Sequence, residues 1–175
     1  MTEDWRPHPG EVQMRGLMGA PWDETGLRVM IADVIRPGMA RFIAAQPFFF
    51  IATASATGSC DCSFRGRDYG ADGQPLPALV VLDDRRLAFP DFRGNGLFQS
   101  LGNLCVNPQI GMLFMDFHRQ QRARVNGTAR IVAPDRDIWP GAQAMVEVAV
   151  QQVYGNCPAR IPRMTMLAES DLMWS

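Results

Sequence analysis

Residues 121–133 alternate with a period of two. Ala123, Val125, Gly127, Ala129 and Ile131 take one side, and Arg122, Arg124, Asn126, Thr128 and Arg130 take the other. Successive side chains of a strand point to opposite faces, so this stretch predicts one long strand with a buried face and a polar face. Antiparallel neighbours suit such a strand, because an antiparallel sheet can keep one face on the core and one in water. Residues 48–55, aromatic and β-branched, lead through Ala56-Thr57-Gly58 to a second extended run ending at Arg65, which predicts a β-hairpin. Residues 78–82 and 85–90 predict another hairpin around Asp83-Asp84. Residues 110–117 and 145–153 supply two further strands. Several strands joined by hairpins, with few helices, predict a mainly β chain folded as an antiparallel barrel.

At 175 residues the chain predicts a single domain, with no repeat and no linker. Residues 1–26, rich in Pro, Gly and Trp, read as an irregular arm, and 155–175 as a C-terminal extension to the barrel at 48–154. Between arm and barrel, 27–46 reads as helical: Leu27, Met30, Ile31, Val34 and Ile35 recur at helical spacing, with Asp23 or Thr25 as cap. Pro37 then opens a second helical piece carrying Met39, Phe42 and Ile43. A short helix over 97–105 places Leu97, Leu101, Leu104 and Cys105 on one side, and Asn107-Pro108 stops it.

The composition excludes several chemistries. All 17 basic residues are Arg, so no Schiff base, catalytic amine or Walker-type phosphate loop is available. Any anion must be held by guanidinium groups, hydroxyls and backbone amides. A net charge of −1 gives no reason to expect nucleic acid. No run approaches the apolar length of a membrane span, and the acidic start Met1-Thr2-Glu3-Asp4-Trp5 lacks an apolar signal region, which predicts a cytoplasmic protein. Cys60, Cys62, Cys105 and Cys157 are spaced for neither a disulfide framework nor a zinc site and are expected to be buried thiols. His8 and His118 stand in no ligand cluster, so no metal is expected.

Two places combine Arg, Gly and a hydroxyl or amide at a strand end. In Ser63-Phe64-Arg65-Gly66, Ser63 and Arg65 share a face; in Asp91-Phe92-Arg93-Gly94-Asn95-Gly96, a strand gives way to a glycine-rich turn and a helix for which Asn95 is the candidate cap. Free amides and dipole at a helix start attract an anion, and Arg adds charge-assisted contacts to phosphate oxygens. Either place alone reads first as a solvated turn. Their joint occurrence brings phosphate binding level with that reading.

The ordered set Phe50-Ile51-Ala52-Thr53-Ala54, Cys62 to Gly66, Leu87-Ala88-Phe89-Pro90-Asp91, Arg93-Gly94-Asn95, Leu101-Gly102-Asn103-Leu104, Asn107-Pro108 and Arg122 to Gly127 resembles the pyridoxamine 5'-phosphate oxidase-like flavoproteins. The resemblance implies an antiparallel split β-barrel that binds FMN at the interface of a homodimer. It implies that Ser63, Arg65 and Gly66 contact the flavin phosphate and ribityl chain, with Arg93, Gly94 and Asn95 forming a second phosphate turn. There family members often carry Ser and Lys, so Arg93 carries more of the charge. Phe89 and Pro90 would line the flavin ring, and Arg122 would reach it from the neighbouring subunit. The activity implied is FMN-dependent oxidoreduction of a small molecule, with no catalytic side chain singled out. A flavin sensor or carrier without turnover is the rival, as is the same barrel holding a deazaflavin or haem. Residues 159–164, with Arg160 and Arg163, do not match the arginine-rich motif that grips pyridoxamine phosphate in the true oxidases.

Overall fold

The computed structural model describes residues 7–20 and 30–165. Its centre is a seven-stranded, wholly antiparallel sheet: β1 (Phe48–Ala54), β2 (Cys60–Gly66), β3 (Val80–Val81), β4 (Arg86–Phe92), β5 (Gln109–Asp116), β6 (Gln121–Val132) and β7 (Ala142–Gly155). They lie side by side in the order β2-β1-β5-β6-β7-β4-β3. The expected hairpins form: Ile51 faces Ser63 across β1 and β2, and Val80 faces Ala88 across β3 and β4.

Alternation curls this sheet around one core. Phe49 and Ile51 of β1, Ile110, Met112 and Phe114 of β5, Ala123, Val125 and Ala129 of β6, and Val146, Val148, Val150 and Val153 of β7 are all buried. Phe49 sits edge-on to Phe89 and stacks on Phe114, with ring centroids 5.3 and 5.4 Å apart. The inward face of β6 is as its period predicts as far as Ala129; Ile131, expected inside, is 37% exposed at the rim. At Gly127 the register with β7 shifts by one residue, and a Cβ there would lie 2.1 Å from the Ala149 carbonyl oxygen. Only glycine lets the two strands approach so closely.

Pro90 pairs with Met145 inside a strand, a position normally closed to proline. It is tolerated because β3 has two residues and pairs only with Leu87 and Ala88, leaving β4 an edge beyond them. In the turn between β3 and β4, the Arg85 backbone N–H and then the Arg86 guanidinium hold the Asp83 carboxyl below its ordinary range.

Three helices flank the sheet among the described elements: α1 (Pro9–Leu17), α2 (Pro37–Ala44) and α3 (Gln99–Val106). α1 corrects the expectation of an irregular arm. Pro9 opens it, and His8 and Glu11 form a reciprocal capping box, while none of its side chains is buried. A helix held by its caps rather than by an apolar face gives little periodic signal. The helical reading holds at Met30 and is corrected over 31–35. Ala32 exchanges backbone hydrogen bonds with Val153 at 3.0 and 2.7 Å, and the Ile35 N–H donates to the Asp84 carbonyl at 2.7 Å. Pro37 holds Arg36 extended, so no helix can run through it. Residues 27–29 and the proposed caps Asp23 and Thr25 lie outside the described residues. No helix among those described is long and apolar enough to cross a membrane.

The four cysteines are free, as expected, but all four are exposed rather than buried. Cys60 and Cys62 point the same way as Phe64 on the outer face of edge strand β2. That face carries an aromatic row: Phe48 stacks on Phe64 and on Phe117, with centroids 5.4 and 6.4 Å apart, and Phe50 meets Phe64 at 5.9 Å. Phe64 is 62% exposed.

Candidate functional site

β2, the end of β4, the start of β7 and the first turn of α3 enclose a cavity of about 590 Å³. It lies where strand pairing ends: the register of β4 shifts between Asp91 and Phe92, and the chain then leaves the sheet through Arg93 and Gly94. Ser63, Arg65, Arg93, Gly94 and Asn95 all line it, so the two Arg-Gly turns do converge on one space.

Arg65 is fixed by a residue that was not among the expected site residues. Its Nη1 donates to Asp91 Oδ1 at 2.6 Å, and Gln143 Nε2 donates to the other Asp91 oxygen at 2.7 Å. Asp91 is 5% exposed, a carboxylate that the interior tolerates because both oxygens are satisfied. The Arg65 Nε is buried and has no partner. Arg93 is exposed and makes no ion pair or hydrogen bond among the described residues. One guanidinium is thus held in place, and the other is free to follow a ligand.

Next to Arg65, Ser63 Oγ and Ser100 Oγ lie 2.7 Å apart, and both approach Asp61 Oδ2, at 3.2 and 3.0 Å. Two hydroxyl protons serve these three contacts, so at most two of them are hydrogen bonds at once. A ligand oxygen that takes a proton from either Ser must reorganise this network.

Asn95 does not cap α3, contrary to expectation. Its Oδ1 accepts from the Leu97 N–H at 3.1 Å, closing a local turn. The cap position falls to Phe98, whose φ is 52° and which offers no side-chain acceptor. The first-turn amides of α3 therefore lack a side-chain cap, and Gln99, Ser100 and Leu101 line the cavity.

The other expected residues lie elsewhere. Gly66 adjoins Arg65 but does not line the cavity; a Cβ on it would lie 2.9 Å from the Phe64 ring. Phe89 is wholly buried against Phe49, and Pro90 is buried on the same strand. Arg122 belongs to a second cavity, with Met39 and Phe42 of α2, Asn156 and Pro158. β7 runs from Ala142 to Gly155, so Gln143 and Asn156 stand on the order of 40 Å apart along it. Asp91, Gln143 and Ser100 were missed. Asp91 carried a signal, a lone carboxylate closing an apolar strand run, whereas Gln143 is brought in only by the pairing of β4 with β7.

Seven antiparallel strands curled around one core, with an arginine-lined cavity at one end, make this a split-barrel β protein. The chain belongs to the pyridoxamine 5'-phosphate oxidase family, whose sequence model matches residues 35–173. No curated protein matches the chain. Among solved structures, HupZ of Group A Streptococcus is 18% identical, covering 75% of this chain and 99% of that one, with a TM-score of 0.52. A variant of the same protein gives 20%, 70%, 99% and 0.53. A candidate pyridoxamine 5'-phosphate oxidase from Lactobacillus delbrueckii is 14% identical, covering 70% of this chain and 95% of that one, with a TM-score of 0.51. At these identities the likeness concerns the fold.

Proposed function

We propose that the chain is an FMN-dependent oxidoreductase acting as a homodimer on a small molecule. The observation that carries this reading is the cavity over α3, where a fixed Arg65, an Arg93 without a partner among the described residues and a helix start without a side-chain cap converge. These are phosphate-binding donors, and about 590 Å³ lies within the range of cofactor pockets. Arg65 would orient the phosphate, Arg93 would close over it, and the α3 amides would take its remaining oxygens. Bound there, FMN would supply the hydride chemistry. Two carboxylates, Asp61 and Asp91, offset the two guanidiniums, so the phosphate grip is charge-balanced rather than strongly cationic.

The dimer is supported by the outer aromatic face and by Arg122. On its own chain Arg122 stands at the far end of β7 from the cavity, so a contact with that flavin requires Arg122 of the partner subunit. Pairing two copies through the Phe48, Phe50 and Phe64 face would cover the exposed aromatic row.

The test is an absorption titration of the purified protein with FMN, riboflavin, a deazaflavin and haem. FMN should bind saturably, riboflavin should bind more weakly for want of the phosphate, and rapid reoxidation of the reduced flavin by a small acceptor should separate an enzyme from a carrier. Failure of FMN to bind, or binding equal to that of riboflavin, refutes the reading.

A further inference from the structure

The dipeptide Asn-Gly occurs twice in the chain, at Asn95-Gly96 and Asn126-Gly127, in opposite settings. Asn126 lies within β6, between β5 and β7, and its Nδ2 donates to Gln152 Oε1 at 3.0 Å. Gly127 is buried there against the Ala149 carbonyl. Asn95 and Gly96 are both exposed, in the turn that lines the cavity over α3. Gly96 has a φ of 78°, and a Cβ on Gly94 or Gly96 would meet nothing within 4 Å. Among the described residues nothing accepts from the Gly96 N–H. The Leu97 N–H donates to Asn95 Oδ1 at 3.1 Å, which folds the side-chain amide over the intervening Gly96 nitrogen. The same donor stands where negative charge gathers when that nitrogen attacks the amide carbon.

We propose that Asn95 is a site of self-modification, a deamidation that places a carboxylate in the turn at the cavity's mouth. The Gly96 N–H gives its proton to hydroxide, and the nitrogen bonds to Asn95 Cγ. The Cγ–Nδ2 bond then breaks, and Nδ2 takes a proton from water and leaves as ammonia. Water opens the resulting five-membered imide at either carbonyl, leaving Asp or isoaspartate, with nothing oxidised or reduced. The Leu97 N–H steadies the oxyanion that forms on Oδ1 along the way. The product adds a negative charge two residues from Arg93, which makes no ion pair among the described residues. A carboxylate there competes with a phosphate for that guanidinium. In β6 the extended backbone turns the Asn126 side chain out of the strand line and the ladder on both sides prevents the fold-back, so Asn126 keeps its amide. The modification does not depend on the flavin reading; its effect on FMN rests on that reading.

The experiment is incubation of the purified full-length protein in mildly alkaline buffer, folded and in urea, with peptide mass spectrometry at intervals. In the folded protein Asn95 should gain one dalton about tenfold faster than Asn126 or more. In urea the two rates should converge, because the turn and the ladder are both lost. Leu97→Pro removes the donating N–H at an exposed position and should slow Asn95 in the folded protein by about tenfold or more, as loss of an oxyanion donor does, with the fold checked by circular dichroism. Asn95→Asp, which carries the product charge, should weaken FMN by about tenfold and riboflavin much less. No mass gain at Asn95, equal rates at the two sites in the folded protein, a difference that persists in urea, or indifference to Leu97→Pro overturns the modification site. FMN bound equally well by the wild type and Asn95→Asp overturns its effect on the cavity, whereas failure of the wild type to bind FMN refutes only the flavin reading.

Discussion

Replacing Arg65 by Met removes one half of a nearly buried ion pair and leaves the other half in place. The Arg65 and Asp91 side chains keep 19% and 7% of their exposure, and their atoms approach to 2.6 Å. Unit charges about 4 Å apart at an effective dielectric of 20 attract by roughly 4 kcal/mol. Removing one partner of a buried pair costs about 3–5 kcal/mol, because the remaining charge stays desolvated. Gln143 still donates to Asp91 after the substitution, which places Arg65→Met toward the lower end, about 3 kcal/mol. For a chain of this length that is a fall in Tm of roughly 6–12 °C. Asp91→Asn should be milder, since water reaches Arg65 more readily than Asp91. The double variant Arg65→Met/Asp91→Asn should be more stable than Arg65→Met alone, because no buried charge is left unpaired. Urea unfolding of the four proteins gives the coupling energy directly. A loss below about 1 kcal/mol for Arg65→Met, the level of an exposed pair, would refute the burial argument and the view that Asp91 fixes Arg65 for a ligand.

Arg93→Ala should weaken FMN by about tenfold or more, since a hydrogen bond to a charged group is worth roughly 1.5–3 kcal/mol. It should leave the urea midpoint unchanged, because Arg93 has no partner among the described residues; a lower midpoint would show that Arg93 is structural. Gly127→Ala should destabilise by about 1–3 kcal/mol, because its Cβ would meet the Ala149 carbonyl oxygen at 2.1 Å and the strands must part. Gly111→Ala meets nothing nearer than 3.4 Å and is the control. Phe64→Glu should leave the monomer fold intact, as Phe64 is 62% exposed, yet shift the protein to monomer in light scattering. A dimer that survives the substitution would place the interface elsewhere.

What could be read from sequence and what could not divide along a physical line. Period-two alternation marks faces, so β6 and the hairpin of β1 and β2 were legible, and so were the strand ends that carry Ser63, Arg65 and Arg93. The helix α1 was not, because it buries nothing and stands on a capping box, a signal of two residues rather than a stripe. Nor was the extended course of 31–35, whose apolar residues have helical spacing but whose backbone finds partners in Val153 and Asp84. The site shows the same division. Sequence locates charged residues at turns, but it does not say which charges neutralise one another across the sheet. Arg65 reads as a phosphate ligand until β4 brings Asp91 to it and β7 brings Gln143 to Asp91. The consequence is chemical as well as structural. An arginine already paired contributes direction more than net charge, so the electrostatic pull on a phosphate falls chiefly on Arg93 and the uncapped first turn of α3. A site built in this way should discriminate FMN from riboflavin by a smaller margin than two free guanidiniums would give. Its affinity should also depend more on the geometry of the Asp61, Ser63 and Ser100 network than on ionic strength.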